Sequence, residues 1–372
     1  MPKGIRLLLA AGGTGGHLFP GIAVAEAAQR EAKAEVLFVG TASGMEKDVI
    51  PRLGFALRLI PSEQLRGRSW WGMVHALWAA LRGLGAARRV IREFAPDLIF
   101  SIGGYASGPT VLIGWTRRVP CILLEPNAIP GLTNRLLGRL ATKICVGFPR
   151  TVQFFATDKA VFTGNPVRWN APPQTPTRTQ SEKFTLLVFG GSAGARRLNQ
   201  TVPQALALMD TDKETLRIVH QTGKANGAEV SETYAKLGVR AEVVPFIDNM
   251  QEVYAAADLV VCRAGANTVA ELATMGKPSI LIPYPYAADD HQRANAEVLV
   301  QADAARMILD AELTPEQLKQ EISTLMHDRS RLETMARAAA ALGRPDATAA
   351  VVRECLACLP STHFSSREDV CR

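Results

Sequence analysis

Short apolar runs alternate with helical patterns along this chain, and the alternation breaks once. Runs at Ile5–Ala10, Val36–Val39, Leu98–Ile102, Cys121–Leu124 and Ile144–Val146 have the length and hydrophobicity of strands buried on both faces. A break follows at Asn170-Ala171-Pro172-Pro173-Gln174-Thr175-Pro176, with polar residues up to Lys183. Its prolines and low hydrophobicity predict an inter-domain linker. The alternation resumes at Phe184–Phe189, Arg217–His220, Glu242–Val244, Leu259–Cys262 and Ser279–Ile282. From Thr314 the pattern is helical, Pro345-Asp346-Ala347 reads as a helix start, and Leu359–Arg372 is a polar, frayed tail. Strand–helix alternation with connections of this length predicts an α/β fold with parallel sheets covered by helices on both faces. The predicted division is a first domain over 1–165, a linker over 166–183, and a second domain over 184–343. A terminal helix over 344–358 packs back on the first domain, and a disordered tail covers 359–372.

The same glycine-rich turn follows the first strand of each half. One copy is Leu7-Leu8-Leu9-Ala10-Ala11-Gly12-Gly13-Thr14-Gly15-Gly16-His17, the other Leu186-Leu187-Val188-Phe189-Gly190-Gly191-Ser192-Ala193-Gly194-Ala195. A buried strand that feeds a helix through glycines leaves backbone N–H groups at the helix N-terminus, where an anion can sit. Two such units predict two Rossmann-like domains facing each other across a cleft, with phosphate chemistry between them.

Composition narrows the class. At 372 residues the chain exceeds one ordinary core, and two domains of about 150–180 residues fit. With 47% apolar and 21% charged residues it reads as a soluble globular protein. No run approaches the roughly 20 apolar residues of a membrane span. The N-terminus leads directly into the first strand run and has no signal-peptide cleavage pattern. Cys121, Cys145 and Cys262 lie in strand-like runs and read as buried small hydrophobes of a reducing compartment. Cys355 and Cys358 form a CxxC inside a helical stretch with no second pair nearby, which argues against zinc. The net charge of +7 favours an anionic partner. Nucleic acid is excluded, because the arginines and aromatics lie along one helix of an α/β pattern without an RNA or DNA module.

That helix departs from the rest. Between Leu65 and Phe94, Trp70, Trp71, Met73, Val74, Leu77, Trp78 and Leu81 are interleaved with Arg66, Arg68, Arg82, Arg88, Arg89 and Arg92. Positions 70, 74, 77, 78 and 81 follow the rhythm of one helix face. One reading is a helix covering a sheet with solvated arginines. The other is a lip on an anionic bilayer, with Trp at the interface and Arg among headgroups.

The first glycine turn lacks the G-x-G-x-x-G spacing. No acidic residue ends the second strand run, where Val39-Gly40-Thr41 follows, so a dinucleotide site is disfavoured. A Walker A loop is excluded because no Gly-Lys-Ser/Thr follows. His17, the first helical residue after the turn, is either a structural group or an acid/base. Ser101-Ile102-Gly103-Gly104-Tyr105-Ala106-Ser107-Gly108-Pro109 is a third glycine turn, and Arg263-Ala264-Gly265-Ala266-Asn267-Thr268 repeats the logic with Glu271 one turn on. A carboxylate there suits ribose hydroxyls; a surface acid is the plainer account. Asp210-Thr211-Asp212 follows a helix away from any strand end and reads as surface, so no metal site is predicted.

These pieces, in this order, resemble glycosyltransferase family 28. Its peptidoglycan-synthesising members add N-acetylglucosamine to undecaprenyl-pyrophosphoryl-N-acetylmuramyl pentapeptide. The resemblance rests on Gly12–His17 with Pro20-Gly21, Gly103–Tyr105 with Ser107–Pro109, and Asn127 with Gly131-Leu132-Thr133-Asn134. It continues through Gly164–Arg168, Gly190–Ala195, Phe246–Met250, Arg263–Ala266 with Thr268 and Glu271, and Asp290-His291-Gln292 with Asn295-Ala296. It implies a two-domain GT-B fold and inverting transfer from UDP-N-acetylglucosamine to the muramyl C4 hydroxyl, with no metal or other cofactor. The C-terminal domain would hold the donor, with Glu271 on the ribose and the Ile247 backbone at the uracil. Ala266, Asn267 and Thr268 would line the same site, with Ser192, Arg168 and Gln292 around the phosphates and sugar. Thr14, Gly15 and Gly16 would approach from the other domain with Asn127 nearby, and His17 would be the base. Trp70, Trp71, Trp78, Arg82, Arg88 and Arg89, together with Gly103, Gly104 and Tyr105, would meet the lipid acceptor and anionic inner-membrane lipids. That implies a peripheral protein on the cytoplasmic face, with other wall-synthesis enzymes as further partners. One departure stands out: the family's His-Glu-Gln-Asn stretch is here Leu124-Glu125-Pro126-Asn127, and proline removes a donor beside Asn127. The competing readings are a related GT-B glycolipid transferase and a UDP-N-acetylglucosamine 2-epimerase.

Overall fold

The first apolar run forms β1 (Arg6–Ala11), which passes through the glycine turn into α1 (Gly15–Ala32). The chain continues through β2 (Glu35–Gly40), α2 (Glu46–Arg52), β3 (Ala56–Leu59), α3 (Trp70–Phe94), β4 (Leu98–Gly103) and α4 (Ser107–Thr116). β5 (Cys121–Glu125), α5 (Leu132–Leu137), β6 (Lys143–Val146) and β7 (Ala160–Phe162) follow. This computed structural model describes residues 4–13, 15–61, 70–104, 106–156, 158–169, 183–191, 194–209 and 214–360, with side chains of 70–80 outside that description. Thr14, Tyr105, Ser192, Asp210, Asp212, most of the predicted linker and the tail from 361 therefore lie outside it, as do the side chains of Trp70, Trp71 and Trp78.

The seven strands pair in parallel in the order β3-β2-β1-β4-β5-β6-β7. Because side chains alternate along a strand, Leu7, Leu9 and Ala11 enter the core on one face of the sheet and Leu8 the core on the other. Both faces need a helical cover, which is why these strands read as continuous apolar runs.

The second half repeats the design. β8 (Phe184–Phe189), α6 (Arg196–Ala207), β9 (Leu216–Gln221), α7 (Gly227–Lys236), β10 (Glu242–Val244), α8 (Met250–Ala256) and β11 (Leu259–Cys262) come first. α9 (Ala266–Thr274), β12 (Ser279–Leu281), α10 (His291–Gln301), β13 (Ala305–Met307), α11 (Pro315–His327) and α12 (Arg329–Leu342) complete it. Its six parallel strands run β10-β9-β8-β11-β12-β13. An acid before the strand beside each central one pins that central strand's start. Asp97 accepts from the Arg6 amide at 2.9 Å, and Asp258 from the Thr185 amide at 2.7 Å.

Three strands escape the sequence pattern. β3, β7 and β13 have three or four residues each; β3 and β13 include an arginine, and the apolar run of β7 is only three residues long, so none stands out as a strand. α1 also starts earlier than the turn suggests. Helical backbone begins at Gly15, so His17 is its third residue, not its first. Gly13 takes the positive φ of +102° that ends the strand, and the chain is free to coil directly after it.

By contacts, the chain divides into one unit over 1–168 with 346–372 and another over 169–345. The last helix, α13 (Ala347–Ala357), packs on α1, and Val351, Val352 and Cys355 join the core formed with Leu7, Val24 and Leu98. The Thr348 hydroxyl donates to the Val167 carbonyl at 3.1 Å. Val351 and Val352 are 0% and 1% exposed. Burying each contributes about 1.5–3 kcal/mol, a sizeable share of the roughly 5–15 kcal/mol that holds a domain. Ending the chain at Pro345 is expected to abolish the cooperative calorimetric transition of the first unit, expose dye-binding apolar surface and leave the second transition in place. Two unchanged transitions would show that α13 contributes nothing to the first core.

Candidate active site

In a doubly wound sheet the connections leave the central strand in opposite directions, and a crevice opens beyond the strand ends where the order reverses. Here that point lies between β1 and β4 in the first unit, and between β8 and β11 in the second. The glycine segments sit at these points.

In the first unit, Gly12 and Gly13 leave β1, while Gly103 and Gly104 leave β4 with φ of +101° and +83°. A side chain on Gly104 would collide with the Gly12 carbonyl, so the two turns touch backbone to backbone. The Ser107 hydroxyl donates to the Gly103 carbonyl at 2.6 Å and closes the second turn onto α4. Gly15 is buried, Gly16 exposed and His17 half-buried, all in the first turn of α1. Arg168 belongs to this unit, its guanidinium stacked over the Phe19 ring at 5.6 Å.

A buried carboxylate organises the segment after β5. Glu125 accepts from the Asn127 amide at 2.9 Å, the Asn127 side chain at 3.1 Å, the Gly131 amide at 3.0 Å and the Asn134 side chain at 3.0 Å. Burial pushes its carboxyl pKa up, against the downward pull of those four bonds. Asn127 is therefore held by its main chain and its side chain together. Pro126, the departure from the family pattern, removes none of these donors. A second buried carboxylate, Glu46, holds the first glycine turn and has no signature in the sequence. An acid at the first position of a helix reads as a response to the helix dipole, and nothing local announces a partner 33 residues away.

In the second unit, Gly265 caps α9, placing Ala266, Asn267 and Thr268 in its first turn, where main-chain N–H groups have no intrahelical acceptor. Glu271 follows one turn later, half-buried, and accepts a hydrogen bond from the Tyr254 hydroxyl at 3.0 Å. Burial first, then the neighbouring carboxylate, pushes the Tyr254 phenol pKa well up, so it stays a donor and fixes Glu271. Gln292, near the start of α10, accepts from the Tyr284 amide at 3.0 Å, which orients its side-chain amide. Ile247 is buried between β10 and α8. Arg263, by contrast, is taken up internally. It pairs with Asp310 at 2.5 Å, donates to the Ile282 and Pro283 carbonyls, and lies 5.6 Å from the Tyr284 ring. It clamps the loop after β12, a role invisible in the sequence because Asp310 lies 47 residues away.

Among the described residues no group of three or more His, Cys, Asp or Glu is placed to hold a metal ion. Cys355 and Cys358 are free thiols, the first buried.

Residues 7–146 match the glycosyltransferase family 28 N-terminal domain, and residues 185–351 the glycosyltransferase family 28 C-terminal domain. A relative from Geotalea uraniireducens is 46% identical over 355 residues, covering 94% of this chain and 97% of its own length. It is named UDP-N-acetylglucosamine–N-acetylmuramyl-(pentapeptide) pyrophosphoryl-undecaprenol N-acetylglucosamine transferase. The crystal structure of Acinetobacter baumannii MurG is similar with a TM-score of 0.77 and 33% identity, covering 95% of this chain and 99% of that one. The UDP-GlcNAc 2-epimerase from Neisseria meningitidis, solved with UDP-GlcNAc, gives a TM-score of 0.66 at 13% identity, covering 95% of this chain and all of that one, a likeness of fold alone.

Beneath the second glycine turn lies a fully buried polar chain. His220 Nδ1 meets the Tyr234 hydroxyl at 2.9 Å, and Nε2 meets Asn199 Oδ1 at 3.2 Å. Asn199 Nδ2 donates to the Thr222 carbonyl at 2.9 Å, and a side chain on Gly194 would strike that same carbonyl. The pattern suits a neutral imidazole carrying its proton on Nε2 and accepting from the tyrosine. Burial lowers the His220 pKa from its ordinary 6.5 to about 4. The unfolded chain therefore binds a proton that the folded chain excludes. This contribution to stability is whole above pH 6.5 and is lost progressively as pH falls towards 4, by about 3 kcal/mol in all. Urea midpoints measured from pH 7 to 4 are expected to fall more steeply for the native chain than for His220→Gln. Equal slopes would remove His220 from the acid response.

Proposed function

The chain belongs to glycosyltransferase family 28, and from that premise we propose that it transfers N-acetylglucosamine from UDP-GlcNAc to the C4 hydroxyl of undecaprenyl-pyrophosphoryl-N-acetylmuramyl pentapeptide. The single observation that carries this reading is the 46% identity to the Geotalea transferase along nearly the whole of both chains. The epimerase alternative has a likeness of fold at 13% identity and no more.

In this reading the second unit takes the donor. Main-chain N–H groups at the starts of α6 and α9 open at one switch point and suit a pyrophosphate, which lets the UDP leave without a metal ion. Glu271, held by Tyr254, accepts the ribose hydroxyls. The Ile247 backbone meets the uracil, and Gln292 reads the sugar with Ser192, Ala266, Asn267 and Thr268. The first unit presents the acceptor hydroxyl to His17 and meets the lipid acceptor through Gly103–Tyr105, while Thr14, Gly15 and Gly16, with Asn127 nearby, serve the donor and Arg168 its phosphates. The C4 oxygen attacks the anomeric carbon from the face opposite the phosphate. The new C–O bond forms as the C1–phosphate bond breaks, UDP carries off the electron pair, and the hydroxyl proton passes to His17. Inversion follows from single displacement.

The acceptor is lipid-linked, and we read the outer face of α3 and α4 as the surface that meets an anionic bilayer on its cytoplasmic side. No described helix is long and apolar enough to cross a membrane. On α3, Ala87, Val90 and Ile91 are buried, whereas Leu81, on the stripe with positions 70, 74, 77 and 78, is 56% exposed. Arg82, Arg88 and Arg89 are also exposed, and the adjoining α4 presents Leu112 and Trp115, with Arg117 and Arg118 just beyond it. Apolar side chains ringed by arginines are what an anionic lipid surface selects.

Two outcomes are expected. Radiolabel from UDP-GlcNAc should enter the lipid-linked muramyl acceptor in the presence of EDTA, with His17→Ala lowering kcat by about 10²–10⁴ and barely changing donor KM. Transfer that requires a divalent ion would count against the metal-free reading, and a small His17 effect would return that residue to structure. Replacing Trp71, Trp78, Arg88 and Arg89 together should reduce sedimentation with anionic liposomes while UDP binding persists; unchanged sedimentation excludes this face.

A further inference from the structure

The fully buried Glu46 lies in the first turn of α2, on a strand connection with no assigned part in the reaction. Its two carboxylate oxygens serve two neighbouring strand ends. Oε1 accepts from the Thr41 amide at 2.7 Å and the Thr41 hydroxyl at 3.1 Å, just beyond β2. Oε2 accepts from the Gly13 amide at 3.0 Å, just beyond β1. Gly12, Gly40 and Gly44 surround the side chain, and a Cβ built on any of them would overlap it. Three glycines thus form a socket, and the carboxylate fills it.

We propose that Glu46 is a positioning residue for glycosyl transfer, a buried carboxylate bracket that fixes the first glycine turn and through it the start of α1 that carries His17. The proposal rests on the reading of that turn as the acceptor-side site. Its physical content is the angle at which α1 begins. Gly13 stands at φ +102°, a conformation open to glycine in several neighbouring wells, and glycine by itself selects none of them. The Glu46 bond to the Gly13 amide selects one. Gly12 in turn abuts Gly104, so the same bracket sets the spacing between the two glycine turns. An amide cannot replace the carboxylate. Gln has one acceptor oxygen, so its NH₂ must face either the Gly13 or the Thr41 N–H, donor against donor.

The test is a double-mutant cycle with Glu46→Gln and His17→Ala, read as kcat and donor KM in the lipid-acceptor assay, with UDP binding and melting temperature as controls. Misplacement of a reacting group by about 1 Å costs on the order of 10²-fold. Glu46→Gln is therefore expected to lower kcat by about 10–100-fold with donor KM within about threefold of native. In the His17→Ala background the same change should cost less than about threefold, since the group it positions is gone. An equal loss in both backgrounds, or native kcat in Glu46→Gln, overturns the proposal. Should Glu46→Gln fail to fold, Thr41→Val, which removes one of the three donors, runs the same cycle with a smaller loss that also vanishes without His17. Absence of transfer by the native chain would be a failure of the functional reading itself, visible before any variant is made.

Discussion

Everything at the functional edge of this protein follows from one constraint: a strand buried on both faces cannot end without giving its backbone amides somewhere to go. Where a parallel sheet reverses its winding, the ends of the central strands stand apart from their covering helices, and their N–H groups open into a crevice. Some of these groups must stay available for an anion. The rest need internal acceptors, or the turn has no fixed shape. In the first unit buried carboxylates answer the need, Glu46 behind the β1 turn and Glu125 behind the β5 turn. In the second, side-chain donors answer the complementary need of the carbonyls. There it is strand-end carbonyls that are tied down: Asn199 donates to the Thr222 carbonyl, and Arg263, paired with Asp310, donates to the Ile282 and Pro283 carbonyls beyond β12.

Magnitudes explain why such carboxylates are tolerated. Removing a charge from water costs several kcal/mol even after relaxation. Hydrogen bonds to a charged acceptor return about 1.5–3 kcal/mol each. Glu125 receives four and Glu46 three, which offsets part of the cost and leaves a rigid bracket, although at Glu125 burial still outweighs the bonds. The same arithmetic makes these sites intolerant of half measures. A variant that leaves one donor unanswered keeps the burial cost and loses the compensation. Rigidity matters because the functional groups project from short turns, and a turn of glycines left to itself samples many conformations.

The surface follows a different logic. Along α3 the buried positions 87, 90 and 91 and the exposed arginines 82, 88 and 89 occupy different faces of one helix, so a single element closes the core and presents a cationic stripe. α4 extends that stripe with Trp115, 52% exposed. The fold thereby separates the glycine turns at the strand ends from this cationic face.

How much of this was legible before folding divides along the range of the interactions. Continuous apolar runs specify central strands, and glycines after them specify turns, because both signals are local. The two-sheet α/β architecture and its family were therefore readable from the chain, as were the positions of His17, Glu271 and Gln292 on helices that start at strand ends. Three of the four edge strands were not. β3 and β13 each carry an arginine among three or four residues, and β7 is an apolar run of only three, too little to leave a signature. The return of α13 to the first core was expected and is seen, yet its anchors, Val351 on α1 and Thr348 on Val167, exist only in three dimensions. Glu46 on Gly13, Tyr254 on Glu271 and Asp310 on Arg263 span 33, 17 and 47 residues, and no periodicity or motif links such pairs. The sequence alone determined which backbone would turn and where an anion could be met. Only tertiary packing decided which buried side chain would hold each turn still, because a hydrogen bond depends on distance in space and leaves no mark on distance along the chain.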